Sequence, residues 1–216
     1  MVRTMPVPRI KIIKDSVFFR INGKLPGNTL QAGIFYGSHF LAIAYESNTL
    51  FVADRRTLQV QQEVKIDYPR AIVAEGPYVY ISNYDGYVTR LDTLGFAVKD
   101  TIKVGPNPEE MTVANGYLYV VNSDGLNYKN GYSDGKSVSK VRLYIEMSTS
   151  NSSVRRMASF KVEKTIPVGL NPTRIQADSE GNVFLIAMGN YNDVPSKIQK
   201  INAADEVTDL ECATAM

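Results

Sequence analysis

Residues Thr101–Glu110 read "TIKVGPNPEE", and Thr165–Arg174 read "TIPVGLNPTR", 64 residues further on. Thr-Ile-x-Val-Gly-x-Asn-Pro therefore stands twice in a chain of 216 residues. An enzyme motif is normally written once, whereas a phrase repeated in full marks a repeated structural unit. Pro69, Pro108 and Pro172 each begin a similar run. The runs from Pro69 and Pro108 overlay at an offset of 39, with Tyr80 on Tyr119, Asn83 on Asn122 and Asp85-Gly86 on Asp124-Gly125. Backward from there, "TLFVADRRTLQVQQEVKI" overlays "YVTRLDTLGFAVKDTIKV" at an offset of 38, with Asp54 on Asp92 and Val64 on Ile102. The repeat predicts units over 31–68, 69–107, 108–171 and 172–216, with 1–30 as a partial unit because "FFRING" loosely overlays "VTRLD".

Within the second unit, four apolar runs, "AIVAE", "YVYISN", "VTRLD" and "VKDTIKV", are split by turn residues. Gly76-Pro77 divides the first two and Asp85-Gly86 the next two; Asp-Gly is a strong hairpin signal. The runs are rich in Val, Ile, Tyr and Thr and have strand length. Four antiparallel strands in roughly 40 residues is the spacing of a β-propeller blade, so the expected fold is all-β. "YVYI" and "YLYVV" are apolar on both faces, as a blade between two neighbours requires. The fourth runs carry Lys, Glu and Asp, which suits an outer edge strand. "VG-x-NP" is then the passage between blades, with Gly expected to permit a reversal and Pro to set the next strand's start.

"YISNYDGYVTRLD" and "YVVNSDG" resemble the Tyr-Val-x-Asn phrase of YVTN-type surface-layer β-propellers, and "TIxVGxNP" is similar to the same proteins. The resemblance covers about 31–216. It implies a seven-bladed ring in an exported, often lipid-anchored protein at the cell surface, outer membrane or periplasm. Some relatives sit beside outer-membrane transporters, and surface cobalamin-binding propellers are among them. Against that pattern the chain reads as a truncated ring, with about four to five of seven blades in an open arc. The third unit also carries extra sequence. Eleven residues fall in "LNYKNGYSDGK" and fourteen in "RLYIEMSTSNSSVR", residues 142–155, a Ser-rich stretch expected to be a disordered excursion.

Composition narrows the chemistry. Apolar residues make up 44% of the chain, enough for a core, and a net charge of +2 with both signs mixed points away from nucleic acid or an anionic membrane. No run approaches the ~20 apolar residues of a membrane span, and no export signal is visible at the N-terminus. The one cysteine, Cys212, precludes an internal disulfide. The one histidine, His39, leaves little material for His-centred metal sites or Ser-His pairs. Glu109-Glu110 follows a blade start at the channel rim, where carboxylates hold Ca²⁺ in some propellers, but a solvated rim is the simpler reading. No metal, cofactor or catalytic residue is expected.

Loop geometry carries the stronger functional signal. In a propeller, the loops between second and third strands open on the same face as the loops between blades. Two adjacent blades lengthen the former: "LNYKNGYSDGK" and "GNYNDVPSK". Both contain Asn-Tyr, which pairs a large rigid contact surface with adaptable hydrogen bonding. The candidate ligand-binding residues are Tyr84, Asn127, Tyr128, Tyr132, Asn190, Tyr191 and Asn192, with Arg70 and Arg174 at what read as equivalent blade starts. The favoured function is non-enzymatic capture of a small, cobalamin-like nutrient, or docking to an outer-membrane transporter. The alternatives are a propeller lyase or lactonase with an acidic channel, and a purely structural surface-layer module.

Overall fold

A computed structural model describes residues 16–148 and 154–211. Its strands fall into four sheets of four antiparallel strands. The first blade is β1 (Leu30–Tyr36), β2 (His39–Ala44), β3 (Thr49–Asp54) and β4 (Val60–Lys65). The second is β5 (Pro69–Glu75), β6 (Tyr78–Asn83), β7 (Tyr87–Asp92) and β8 (Val98–Lys103). The third is β9 (Pro108–Ala114), β10 (Tyr117–Asn122), β11 (Ser137–Ser148) and β12 (Val154–Pro167). The fourth is β13 (Pro172–Ala177), β14 (Val183–Ala187), β15 (Lys197–Ile201) and β16 (Val207–Leu210). The innermost strands stand in sequence, β1 beside β5, β5 beside β9 and β9 beside β13. Among the described residues no comparable contact joins β13 to β1, so the blades form an open arc of an incomplete β-propeller.

Strand alternation builds the joints. Along β10, Leu118 and Val120 face the second blade in a cluster with Tyr80 and Val88, while Tyr119 and Val121 face the fourth in a cluster with Val183, Leu185 and Ile201. Leu41 and Ile43 of β2 likewise pack forward onto Ile72, Val79 and Ile81. Burying each such side chain contributes ~1.5–3 kcal/mol, which explains why the middle strands are apolar on both faces. His39 rests edge-on against Phe96 of the second blade, ring centroids 5.1 Å apart, a packing role.

The doubled phrase works differently from the expectation. Neither Gly105 nor Gly169 has positive φ; the left-handed residues are Asn107 and Asn171, at 44° and 56°, and Tyr68 at 47° holds the same place before Pro69. The glycines are required by close approach. A Cβ on Gly105 would lie 2.8 Å from the Asn122 Cβ, and one on Gly169 would lie 2.8 Å from the Ala187 Cβ. Asn122, the last residue of the "YVVN" phrase, accepts from the Gly105 N–H at 3.1 Å and donates to the Ser137 and Ser139 hydroxyls. Asn83 plays the matching part, accepting from Thr89 Oγ1 at 2.9 Å and donating to the Asp67 carbonyl. The Tyr-Val-x-Asn asparagine therefore clamps the incoming inter-blade loop to the middle of its blade.

Two expectations are corrected. Residues 17–22 do not form a strand of a partial blade. They make a short helix, α1 (Val17–Asn22), because Asn22 donates to the Phe18 and Leu58 carbonyls and accepts from the Val60 N–H, and Phe18 packs on Phe51 at 5.1 Å. Residues 1–15 lie outside the described residues. Residues 142–148 and 154–155, expected as a disordered excursion, extend the β11–β12 pairing as far as Ser148 opposite Val154. Leu143 explains the order: it is fully buried beside Leu118 and Val141, and its N–H donates to the Gly116 carbonyl at 3.0 Å. Residues 149–153 and Cys212 lie outside the described residues.

Candidate functional site

The inter-blade loops and the β2–β3, β6–β7, β10–β11 and β14–β15 loops share one face, stitched together by hydrogen bonds. Tyr84 N–H donates to the Tyr68 carbonyl at 2.8 Å, and the Asn107 amide donates to the Tyr84 carbonyl at 2.6 Å. Asn107 Oδ1 accepts from Leu126 N–H at 3.1 Å, and the Asn171 amide donates to the Gly189 carbonyl at 3.2 Å. The two long loops thus rest on the asparagines of the doubled Asn-Pro phrase.

Three tyrosines project from these loops. Tyr128 is 60% exposed and Tyr191 is 68% exposed, so neither ring serves the core. Tyr132 and Tyr191 come together across the two loops, ring centroids 6.2 Å apart and edge to face. Both have positive φ, 58° and 59°, a backbone state that a bulky residue holds only when its surroundings impose it. The asparagines impose it. Asn127 donates to Asp124 Oδ2 at 2.9 Å and to the Ser133 hydroxyl, and accepts from Asn130 at 2.6 Å. Asn190 donates to Asp193 at 2.7 Å while its Oδ1 accepts from Asn192 and Val194 N–H groups. The Asn190 amide is the main reason the Asp193 carboxyl titrates below its usual range. Asn127 and Asn190 therefore shape the loops rather than offering free amides, and Asn192 lies exposed beside them.

Tyr84, Arg70 and Arg174 belong to the joints. The Arg70 guanidinium lies 5.0 Å from the Tyr84 ring and pairs with Glu109, which is buried. The Tyr84 hydroxyl packs so closely on Gly125 that a Cβ there would collide with it. Burial, with the Glu109 carboxylate beside it, pushes the Tyr84 hydroxyl up to about 12. Arg174 pairs with Glu110 of the neighbouring blade. The two arginines are not at equivalent positions. A bulge follows each proline, but it leaves out Arg70 in β5, setting Ala71 opposite Ser82, and Thr173 in β13, setting Arg174 opposite Ile186. Arg70–Glu109 and Glu110–Arg174 are successive steps of one ladder, the first across the joint of blades two and three, the second across the next. Both acids considered for a channel site are thereby neutralised.

A second aromatic group lies on the same face. Tyr45 is 6.3 Å from Tyr68 and 6.2 Å from Tyr84, ring to ring. The repeat could have revealed it, because Tyr45 takes the place of Tyr84 one blade earlier and Tyr68 takes the place of Asn107.

The face thus belongs to a four-bladed propeller arc bearing two hydrogen-bonded, tyrosine-bearing loops. No family model matches the chain, and no curated protein matches it. Solved structures match in fold. Hydrazine synthase of Kuenenia stuttgartiensis is similar with a TM-score of 0.61 and 17% identity, over 81% of this chain and 47% of that one. A functionally unknown protein of Desulfotomaculum acetoxidans DSM 771 gives 0.59 and 11%, over 87% and 56%. The computationally designed Ika4 protein gives 0.53 and 12%, over 81% and 94%. The chain spans about half the length of the two natural proteins.

Proposed function

We propose that this propeller arc is a non-enzymatic binding protein whose loop face, centred on Tyr128, Tyr132 and Tyr191, captures a small nutrient or docks a transporter. One observation carries the reading: two loops from adjacent blades set the exposed Tyr191 ring against the half-buried Tyr132 ring, at a backbone state maintained by asparagine networks, with Tyr128 exposed beside them. Rigid aromatic side chains lose little freedom on binding, so their contact area converts efficiently into affinity. The pairing of Glu109 and Glu110 with arginines supports binding over an acidic channel chemistry. The Tyr-Val-x-Asn phrase supports a location at the cell surface or in the periplasm, and with it a cobalamin-like nutrient as the first ligand to try. Calorimetric titration with cobalamin and then other nutrients tests the reading. Binding should be lost when Tyr128, Tyr132 and Tyr191 are replaced together by Ala; affinity unchanged by that replacement refutes the site.

A further inference from the structure

The forward face of the fourth blade repeats, residue by residue, the faces that the earlier blades bury in their joints. Phe184 and Ile186 of β14 occupy the places of Tyr119 and Val121 in β10. There Tyr119 is 2% exposed and Val121 is 0% exposed, whereas Ile186 is 37% exposed. The polar chemistry repeats too. Opposite Tyr80 stands Arg90, stacked near Phe160 at 4.8 Å and donating to the Ser159 carbonyl of the next blade at 2.8 Å. Opposite Tyr119 stands Lys140, which reaches Asp205 of the next blade at 2.6 Å. Opposite Phe184 stands Lys200, 5.8 Å above that ring. On the innermost strand, Glu110 and Thr112 accept from the Ile175 and Ala177 N–H groups of the next blade; Arg174 and Gln176, both exposed, hold those places in the fourth.

The rear face of the first blade carries the matching half. In the second and fourth blades a left-handed residue ends the turn between third and fourth strands and inserts into the preceding blade. Phe96, φ 54°, packs on His39, and Asp205, φ 64°, meets Lys140. Leu58, φ 60°, is the same residue in the first blade, and among the described residues no blade stands before it. Beside it, α1 covers Phe51 but leaves Phe35 55% exposed over Phe40.

We infer that the forward face of blade four receives the rear face of blade one from a second copy of this chain. The joint continues the blade-to-blade stacking already present three times within the arc. Such a contact is head to tail, so two arcs close into a ring if their curvature allows and a longer series forms otherwise. Exposed apolar faces of this kind mark interaction surfaces. The inference is independent of the ligand reading.

Sedimentation and light scattering of the full chain test it, with Ile186→Asp and Phe35→Asp as variants at exposed positions on opposite ends. The wild-type chain should show a mass at least twice 24.0 kDa. Each variant alone should fall to a monomer while keeping a strand-type circular dichroism spectrum. Mixed together, they should re-associate, because one intact joint remains between the two. A monomeric wild-type chain overturns the inference, as does an assembly untouched by either variant. Variants that fail to complement each other overturn the head-to-tail joint.

Discussion

Gly105→Ala asks what the doubled phrase is for. A Cβ at this position would lie 2.6 Å from Asn122 Nδ2 and 2.8 Å from its Cβ. Asn122 is fully buried, and its amide is bonded to Gly105, Ser137 and Ser139, so it has nowhere to go. Overpacking of this kind costs about 1–3 kcal/mol. Displacing the amide forfeits up to three hydrogen bonds at about 1 kcal/mol each. The stiffer unfolded chain returns only about 0.4–1 kcal/mol. The expected loss is roughly 3 kcal/mol, a large share of the ~5–15 kcal/mol that holds a domain. Gly169→Ala should cost less, roughly 1–2 kcal/mol by the same overpacking scale, because its neighbours are the Ala187 methyl at 2.8 Å and the longer Gln199 side chain at 3.1 Å. Urea denaturation measures both, with an unchanged slope showing that the midpoint shift is a change in stability and not in the surface exposed on unfolding. Combining Gly105→Ala with Asn122→Ala should cost less than the sum by roughly 1–2 kcal/mol, since the second change removes the amide that the first collides with and displaces, leaving only the Cβ at 2.8 Å. A Gly105→Ala chain as stable as wild type, or strict additivity in the double variant, would refute the close-approach account.

Further outcomes follow from other residues. Burial raises the Asp205 carboxyl, but the Lys140 and Lys164 ammoniums outweigh it and hold the pKa below 3.8. A depressed folded pKa means that the stabilisation is complete above the unfolded value and fades as pH falls through the folded one. Asp205→Asn should therefore lose roughly 3 kcal/mol at pH 7 by stranding the buried Lys140, and urea midpoints at progressively lower acidic pH should show the gap to wild type narrowing. Leu143→Ala should cost about 2–5 kcal/mol, because that side chain is fully buried at the root of the β11–β12 hairpin; a melting temperature equal to wild type would restore the excursion reading. Tyr128→Ala and Tyr191→Ala should each change stability by no more than about 0.5 kcal/mol, since both rings face solvent, which denaturation curves will check.

The blades were legible because a period of 38–39 residues survives in sequence, and because alternation along "YVYI" and "YLYVV" shows both buried faces at once. The loop tyrosines were legible for the same reason: register placed them on the face shared by the inter-blade loops. What lay beyond reading was partnership. Arg70 and Arg174 read as equivalent because both follow a blade-starting proline, but a bulge after each proline skips one residue, Arg70 in one blade and Thr173 in the other, so the one-residue difference in spacing puts them in different roles. The asparagines read as ligand groups, yet turns that hold a tyrosine at positive φ need their amides. The serines of 142–155 suggested disorder and masked Leu143, whose burial depends on contacts with the second and third strands of its own blade. Nothing local in "VFFRIN" distinguishes strand from helix; the Asn22 bonds to Leu58 and Val60, more than 30 residues away, decide it.

Fluorine NMR on chain labelled with 3-fluorotyrosine tests the binding claim most directly. Single Tyr→Phe changes assign the signals of Tyr128, Tyr132 and Tyr191, and of the buried Tyr80 and Tyr119 as internal controls. On titration with cobalamin, and then with other candidate nutrients, the three loop signals should shift together and saturate while the two buried ones stay still. Saturable binding that moves Tyr80 or Tyr119 and leaves the loop tyrosines unchanged would contradict the account.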